Sequence, residues 1–206
     1  MVKIVSVEKL RSASRVCFDD GASIILRNKD AEGFKLSVGA EIERDALIQR
    51  LCAAQFDDAY EAALNILDRS AKTEAEIHKK LVFKGYLDQV ADAVCLRLKE
   101  TRLIDDRYIA QRLSSGMSAA GKGKYAVLQK LRARGIDKAD SEEVMDEITD
   151  DMQNEAAFCQ ASKIWRKYAA LDKRERKSKL SQALARRGFS WDSIEYAIER
   201  LEEDRS

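Results

Sequence analysis

One short pattern occurs three times in this chain: a leucine, two variable residues, a basic residue, a glycine and an apolar residue. The copies occupy residues 81–86, 131–136 and 184–189, and their glycines lie 50 and then 53 residues apart. A repeat at such a period indicates that each copy belongs to a structural unit that packs on its neighbours. Such arrays bind partners along an extended surface, so we look for a surface before a single pocket.

The pattern is typical of the end of a helix. The leucine is predicted to lie in the core, the glycine to stop the helix in the left-handed conformation, and the following apolar residue to pack back on the helix end. The basic residue before each glycine has no single explanation. A cation near a helix C-terminus gains about 0.3–1 kcal/mol from the helix dipole whether or not it binds anything.

Composition favours long helices. The 206 residues include no proline, which would otherwise break helices. Charged residues make up 35% of the chain, against a typical value of about 25%. The net charge is only +1, so the distribution of charge matters more than its sum.

The cysteines and the hydropathy pattern predict a cytoplasmic protein. Cys17, Cys52, Cys95 and Cys159 stand singly, which is typical of reduced thiols in a cytosolic protein. No stretch approaches 18 uncharged residues, and the N-terminus lacks an apolar run of signal-peptide length. We therefore expect no membrane association.

The first 45 residues favour strands. β-Branched residues partly alternate from Val2 to Val7, and Asp19-Asp20-Gly21 is a hairpin-turn signal whose glycine can take a positive φ. A further short strand is predicted over residues 34–39. Three strands of this size are not stable alone, so we expect this element to pack on the rest of the protein.

From Asp45 onward the apolar period is helical. Thr73-Glu74-Ala75-Glu76 is a capping box for the middle helix of the first repeat, and residues 140–143 are predicted to cap the last helix of the second. The fold class predicted is mainly α: three tandem three-helix repeats forming an elongated curved rod, with a small N-terminal β element. The bounds predicted are 1–45 for a small β-hairpin extension and 57–104, 105–151 and 152–206 for the three repeats.

Catalytic and cofactor sites find little support. His78 is the only histidine and the cysteines are isolated, so neither a zinc site nor a nucleophile triad is predicted. Residues 116–123 match a phosphate-binding loop up to its lysine, but Gly123 stands where such a loop needs a hydroxyl to hold magnesium. A helix also precedes the segment, where that loop needs a strand. We expect a hinge between helices, no cofactor and no enzymatic activity.

Positive charge is segregated along the chain. Residues 163–187 carry ten basic and two acidic side chains, a net charge of +8, and residues 122–134 carry five basic side chains and no acidic one. The corresponding helix of the first repeat adds three lysines. The predicted site residues are Lys79, Lys80, Lys84, Lys122, Lys124, Lys130, Arg132, Arg134, Lys163, Arg166, Lys167, Lys173, Arg174, Arg176, Lys177, Lys179, Arg186 and Arg187.

Two interpretations of this charge remain open. Stacked repeats would align their basic middle helices into a stripe that binds a polyanion or an acidic protein groove. The alternative is a solvated face with scattered ion pairs. Segregation by helix favours the stripe, although the sequence does not decide between DNA and protein as the main contact.

Three features together resemble one known family. They are the tandem Leu-x-x-[Lys/Arg]-Gly units, Leu-Ile-Asp-Asp-x-Tyr at residues 103–108, and Lys-Leu-x-x-Lys-Gly-Tyr at residues 80–86. In this combination they are similar to the RecX regulators of the RecA recombinase, over roughly residues 57–203. Leu36-x-x-Gly39-x-x-Ile42 is similar to an N-terminal extension in some members. The third repeat departs most, since Ala183 stands where the first two have lysine.

The resemblance implies a non-enzymatic helical protein that binds in the groove of RecA–DNA filaments. It would inhibit filament growth, ATP hydrolysis and strand exchange, and so act in DNA repair and the SOS response. The implied partners are the recombinase filament and single- and double-stranded DNA without sequence preference. We expect a monomer.

Two other classes remain possible on the residues alone. A three-helix unit could act as the helix-turn-helix of a DNA-binding transcriptional regulator, although its recognition positions would be mainly basic here. A helical-repeat scaffold without nucleic-acid contact is the second alternative. The first predicts a footprint with base preference, and the second predicts no DNA binding even at low salt.

Overall fold

The computed structural model describes residues 1–11 and 13–203. The chain divides into two compact units, Met1–Asp105 and Asp106–Ser206. The last three residues of the predicted third repeat, 204–206, lie outside the described residues. The predicted class, mainly helical with a small N-terminal β element, is confirmed.

The first unit begins with an antiparallel sheet in the strand order β3-β2-β1-β4. The strands are β1 (Val2–Lys9), β2 (Ala13–Phe18), β3 (Ser23–Arg27) and β4 (Glu41–Ile42). The β2–β3 hairpin turns at Gly21 with φ 83°, as the Asp-Asp-Gly signal predicts. The sheet buries one face, through Ile4, Val16, Phe18 and Leu26.

The strand predicted over residues 34–39 is wrong. A short helix, α1 (Asn28–Gly33), follows β3, and the last strand is β4 further along. The amide of Leu36 donates to the carbonyl of Ala31, so the chain coils back on the helix end. Lys35 and Gly39 have φ 52° and 88°, and two left-handed residues are incompatible with an extended strand.

Three helices complete the first unit. They are α2 (Arg44–Leu67), α3 (Glu74–Phe83) and α4 (Asp88–Glu100), which we call the first triple. The predicted capping box is confirmed: Thr73 Oγ1 accepts from the amide of Glu76, and Glu76 Oε2 accepts from the amide of Thr73, both at 3.2 Å. The helices and the sheet share one core, which includes Leu51, Leu81 and Leu98.

A buried polar network ties the sheet to the first triple. The Arg27 guanidinium binds both carboxylate oxygens of Asp30, at 2.8 and 3.0 Å, and lies 4.2 Å from the ring centroid of Tyr86. Gln55 on α2 donates to Asp30 at 2.7 Å and accepts from the amide of Leu87 at 3.0 Å. The arginine ending β3 therefore connects the sheet, α2 and the start of α4.

Charge complementarity shows in the pKa values of this network. Burial by itself would lower the pKa of Arg27, but the hydrogen bonds and the charge of Asp30 outweigh it, and the pKa is raised. The pKa of Asp58 is lowered, first by its hydrogen bond from Lys29 and then by Arg27. The stabilisation from Asp58 is thus present above its ordinary pKa and is lost as pH falls through the folded value.

The second unit contains six helices within its described residues. The second triple is α5 (Asp106–Ala119), α6 (Lys124–Ala133) and α7 (Lys138–Asp146); the third is α8 (Asp150–Trp165), α9 (Lys173–Ala185) and α10 (Trp191–Glu203). A 3-10 turn, Arg166–Tyr168, follows α8. Each triple has its own apolar cluster.

The cap predicted for α7 is wrong by three residues. Asp137, not Asp140, is the N-cap, and its Oδ1 accepts from the amide of Asp140 at 2.8 Å. Gly135 ends the previous helix and Ile136 turns into the core, so the chain is already extended at Asp137, with ψ 172°. A capping residue needs this extended backbone.

The repeated phrase ends the middle helix of each triple in the same way. In the first copy the amide of Gly85 donates to Val82 and the amide of Tyr86 donates to Leu81. The same two bonds recur in the other copies, and the three glycines have φ 88°, 72° and 87°. This is the Schellman motif, in which the apolar residue after the glycine packs on the helix. The leucines and those apolar residues are all buried.

The glycine-rich segment at 116–123 covers the end of α5 and the loop before α6, and its last residue contacts the third triple. The amide of Gly123 donates to the carbonyl of Arg187 at 2.9 Å, and the amide of Tyr125 donates to Gly188 at 3.0 Å. A methyl group on Gly188 would lie 2.4 Å from the amide nitrogen of Ala126, so the two main chains can approach only through glycine. Amides that a phosphate-binding loop would offer are therefore occupied by the chain itself.

We expect Gly188→Ala to lower the free energy of unfolding of the second unit by at least about 3 kcal/mol. The new methyl group would meet the α6 backbone, in addition to about 1–2 kcal/mol for a left-handed alanine. Gly39→Ala is the control, because φ is 88° there but the space is open. Urea unfolding followed by far-UV circular dichroism measures both variants, and the fluorescence of Trp165 and Trp191 isolates the second unit. Equal losses in both variants would contradict the close approach.

We expect Arg27→Met to lower the free energy of unfolding of the first unit by about 3–5 kcal/mol, because it leaves a buried Asp30 carboxylate unpaired. Lys29→Met also removes a cation that pairs with Asp58, but that pair is exposed and contributes only about 0–1 kcal/mol. Urea unfolding followed by far-UV circular dichroism compares the two. The tryptophan transition of the second unit is the internal reference and should not move.

Candidate functional site

The predicted basic residues lie on α3, on α6 and its preceding loop, and from the end of α8 through α9. Their surroundings divide them into two groups. Some have head groups that bind the protein's own main chain or carboxylates. The others are largely exposed to solvent.

Arg176 has a structural role. Its Nε donates to the carbonyl of Tyr168 at 3.2 Å, and its Nη2 donates to Ala169 at 2.9 Å and Leu171 at 2.8 Å. The guanidinium also lies 4.8 Å from the ring centroid of Trp165. The side chain therefore satisfies the carbonyls that end the 3-10 turn and holds the connection between α8 and α9.

Three more predicted residues have internal partners. Lys124 Nζ donates to the carbonyl of Ile148 at 3.3 Å, and Arg187 Nη1 donates to Gly121 at 3.5 Å. Lys173 forms a 3.1 Å ion pair with Glu202, although its side chain is largely exposed. Arg187 thus helps to hold the contact between the second and third triples, whereas Lys124 connects the start of α6 to the end of α7 within the second triple.

Most of the remaining cations point into solvent; Lys122 and Arg134 are half-buried. We call the exposed ones the outer cations: Lys79, Lys80, Lys84, Lys130, Arg132, Lys163, Arg166, Lys167, Arg174, Lys177, Lys179 and Arg186. They can meet a polyanion without breaking any internal hydrogen bond described above. Exposed lysines and arginines on helices give flexible, sequence-independent phosphate contacts.

The outer cations do not form one line on α9. Leu180 and Leu184 mark its buried side. Arg174 and Lys177, three residues apart, share one flank, while Lys179 and Arg186, seven residues apart, share another. A partner that contacts every one of them must wrap around this helix.

Apolar groups also line the surface near these cations. A groove of about 820 Å³ in the second unit is bordered by Tyr125, Leu128, Arg132 and Met145. It includes Ser141, whose buried hydroxyl has no hydrogen-bond partner among the residues that the structure describes. The side chain of Tyr125 is largely exposed, whereas Val127 on the same helix is buried. On α3, Phe83 is also exposed.

Metal and membrane sites receive no support from the described part of the chain. Its residues include no group of three or more histidine, cysteine or carboxylate ligands placed to hold a metal ion. His78 Nε2 lies 3.1 Å from Asp92 and 3.8 Å from Asp88, a surface arrangement between α3 and α4. No helix of residues 1–11 and 13–203 is both long enough and apolar enough to cross a membrane.

The fold and this surface define a class: a helical protein of successive three-helix units that carries exposed positive charge on its middle helices. Comparison with known proteins gives the family. The family model of the first three-helix domain of RecX matches residues 59–98. The family model of the third three-helix domain of RecX matches residues 150–198. The chain belongs to the RecX family of regulatory proteins.

Individual relatives agree with this assignment. The regulatory protein RecX of Streptococcus mutans is 29% identical over 98% of this chain and 78% of its own length. RecX of Limosilactobacillus reuteri is 30% identical over 76% of this chain and 60% of its own length. A crystal structure of regulatory protein RecX superposes with a TM-score of 0.64 at 26% identity, covering 95% of this chain and 98% of the other.

We expect Arg176→Ala to lower the thermal stability of the second unit, because three carbonyls lose their donor and Trp165 loses its cation. Lost hydrogen bonds of this kind amount to about 1.5–3 kcal/mol. Arg174→Ala is the matched control, since it removes the same charge from the exposed flank of the same helix. Equal melting temperatures by tryptophan fluorescence would show that Arg176 is not structural.

Proposed function

We propose that this chain binds recombinase filaments assembled on DNA and restrains their extension, ATP hydrolysis and strand exchange. Membership of the RecX family and the outer cations support the proposal. The single observation that carries it is the concentration of exposed positive charge on α3, α6 and the α8–α9 region. Repeated three-helix units space these charges along the chain, as a repeating polyanionic partner requires.

The proposed contact is electrostatic and independent of base sequence. Lysine and arginine side chains that neutralise phosphates release counterions, so affinity falls as salt rises. Each phosphate contact contributes about 0.7 to the slope of log K against log salt on a single strand. Because such contacts carry no sequence information, the protein can engage a filament on any DNA.

The proposed restraint acts by occupancy. A protein seated across neighbouring subunits blocks the addition of subunits and the movement of DNA strands without any chemical step. We therefore propose a non-enzymatic regulator, with no catalytic residue and no cofactor.

The decisive variant reverses three outer cations that have no structural role: Lys163→Glu, Arg174→Glu and Lys177→Glu. The control reverses three exposed cations of the first unit, Arg11→Glu, Lys35→Glu and Arg69→Glu, for the same change in net charge. We expect wild type and control to lower recombinase ATPase and filament length, and the decisive variant to do so only weakly. Its salt slope on a single strand should fall by about 2.

Each other outcome has a defined meaning. If wild type at stoichiometric excess leaves ATPase and filament length unchanged, the proposed function is wrong. If wild type inhibits and the decisive variant inhibits equally, the outer cations of the third triple are not the contact. A footprint with base preference would favour the transcriptional regulator, and absence of DNA binding at low salt with no effect on filaments would favour the scaffold.

A further inference from the structure

Phe83 is the most exposed large apolar side chain of the described residues. It lies at the C-terminal end of α3 and is 90% exposed, whereas Trp191 is 64% and Tyr125 is 62% exposed. Leaving a phenylalanine in water forgoes about 1.5–3 kcal/mol that burial would supply. A single exposed apolar side chain is ordinary on a protein surface, so the surroundings of this ring decide whether it belongs to a binding site.

The repeat shows that the fold does not need an aromatic ring at this position. Phe83 stands one residue before the basic residue of the repeated phrase, where the other copies have Ala133 and Arg186. All three helices end in the same Schellman motif, and all three side chains at this position are exposed. The ring is thus specific to the first triple and has no role in ending the helix.

Three lysines are neighbours of Phe83 along α3 and at its C-cap. Lys79 and Lys80 precede Phe83 by four and three residues, which places their Cβ atoms about 5–6 Å from its own, and Lys84 follows it. All three are exposed. The buried side of α3 carries Ile77 and Leu81, so the ring and the two preceding lysines lie on the opposite, solvent face.

The acidic group nearest along this face is already engaged. Glu76 shares the solvent face with Phe83 but lies almost two turns away, and its Oε2 accepts from the amide of Thr73 at 3.2 Å. Within the described residues no salt bridge neutralises the three lysines. Phe83 and these lysines therefore form a small patch whose positive charge no ion pair of the described residues neutralises.

The chemistry of this patch fits single-stranded nucleic acid. An exposed ring can stack on a base, and flanking lysines can meet the adjacent phosphates, the combination that single-strand-binding surfaces use. In a duplex the bases are stacked on each other and cannot reach the ring. A protein contact fits less well, because lysine is depleted from protein–protein interfaces.

We propose that Phe83, with Lys79, Lys80 and Lys84, forms a stacking site for a base of single-stranded nucleic acid. This inference rests on the proposed function, since it names the nucleic-acid form that one part of the basic surface selects. Stacking adds preference for a single strand, while the outer cations by themselves attract single and double strands alike. The site makes the first triple the element that distinguishes exposed single-stranded DNA from duplex.

The test is binding of Phe83→Ala to a fluorescent oligothymidine and to a duplex of equal length. We expect single-strand affinity to fall about 5-fold to 150-fold, the range found when stacking rings are truncated, with duplex affinity and the salt slope unchanged. Phe83→Trp should keep single-strand affinity, and its added emission should be quenched by the oligothymidine. Leu96→Ala, which truncates another exposed apolar side chain of the same unit, is the control and should bind as wild type.

Three results would overturn the stacking site. Phe83→Ala could bind the single strand as wild type does, or lose affinity for single strand and duplex equally. It could also keep single-strand affinity while losing filament inhibition, in which case the ring contacts a protein. The proposed function fails separately, when wild type itself has no effect on filaments. Because Phe83 is exposed and replaced by alanine in the second copy, the variant is expected to fold.

Discussion

The end of each middle helix depends on one main-chain turn through a left-handed glycine. The turn brings the next apolar residue back onto the leucine five residues before it, so the helix end becomes part of the core. It also fixes where the last side chains of the helix point. Phe83, Ala133 and Arg186 face water because the neighbouring glycine turn packs the other side of the chain. The same glycine turn therefore stabilises the helix end and lies next to the side chains of the candidate binding surface.

The repeat, the helix ends and the β2–β3 hairpin could be predicted because each depends on local chemistry. Glycine at 85, 135 and 188 and at position 21 takes the conformation that other residues avoid. The strand at residues 34–39 was wrong because the chain coils back on the end of α1 through two left-handed residues, Lys35 and Gly39, which the alternation of apolar residues does not reveal. The N-cap of α7 was misplaced because both Asp137 and Asp140 are suitable capping residues. The turn before Asp137 makes the backbone extended there, and this selects Asp137 as the cap.

Sequence alone could find the basic segments but could not sort their members. Arg176 and Lys177 are neighbours with the same charge, yet the first binds three carbonyls while the second faces solvent. The difference arises because the side chain of Arg176 faces the residues that end the 3-10 turn and follow it, whereas the side chain of Lys177 does not. Phe83 was missed for the opposite reason: a phenylalanine within a helical pattern predicts core, and only its exposure marks it as a surface group. The repeat alignment with Ala133 and Arg186 was the signal that could have found it.

The main-chain contact between Gly123 and Arg187 also sets an order of events during synthesis. The amide that starts α6 finds its partner only after 64 further residues have been made. At about 5–20 residues per second this takes roughly 3–13 s. The first unit has all of its own contacts available before that time and can fold as the ribosome continues. The second unit cannot complete this joint until Arg187 has emerged, so the contact between the second and third triples forms after both α6 and α9 have been made.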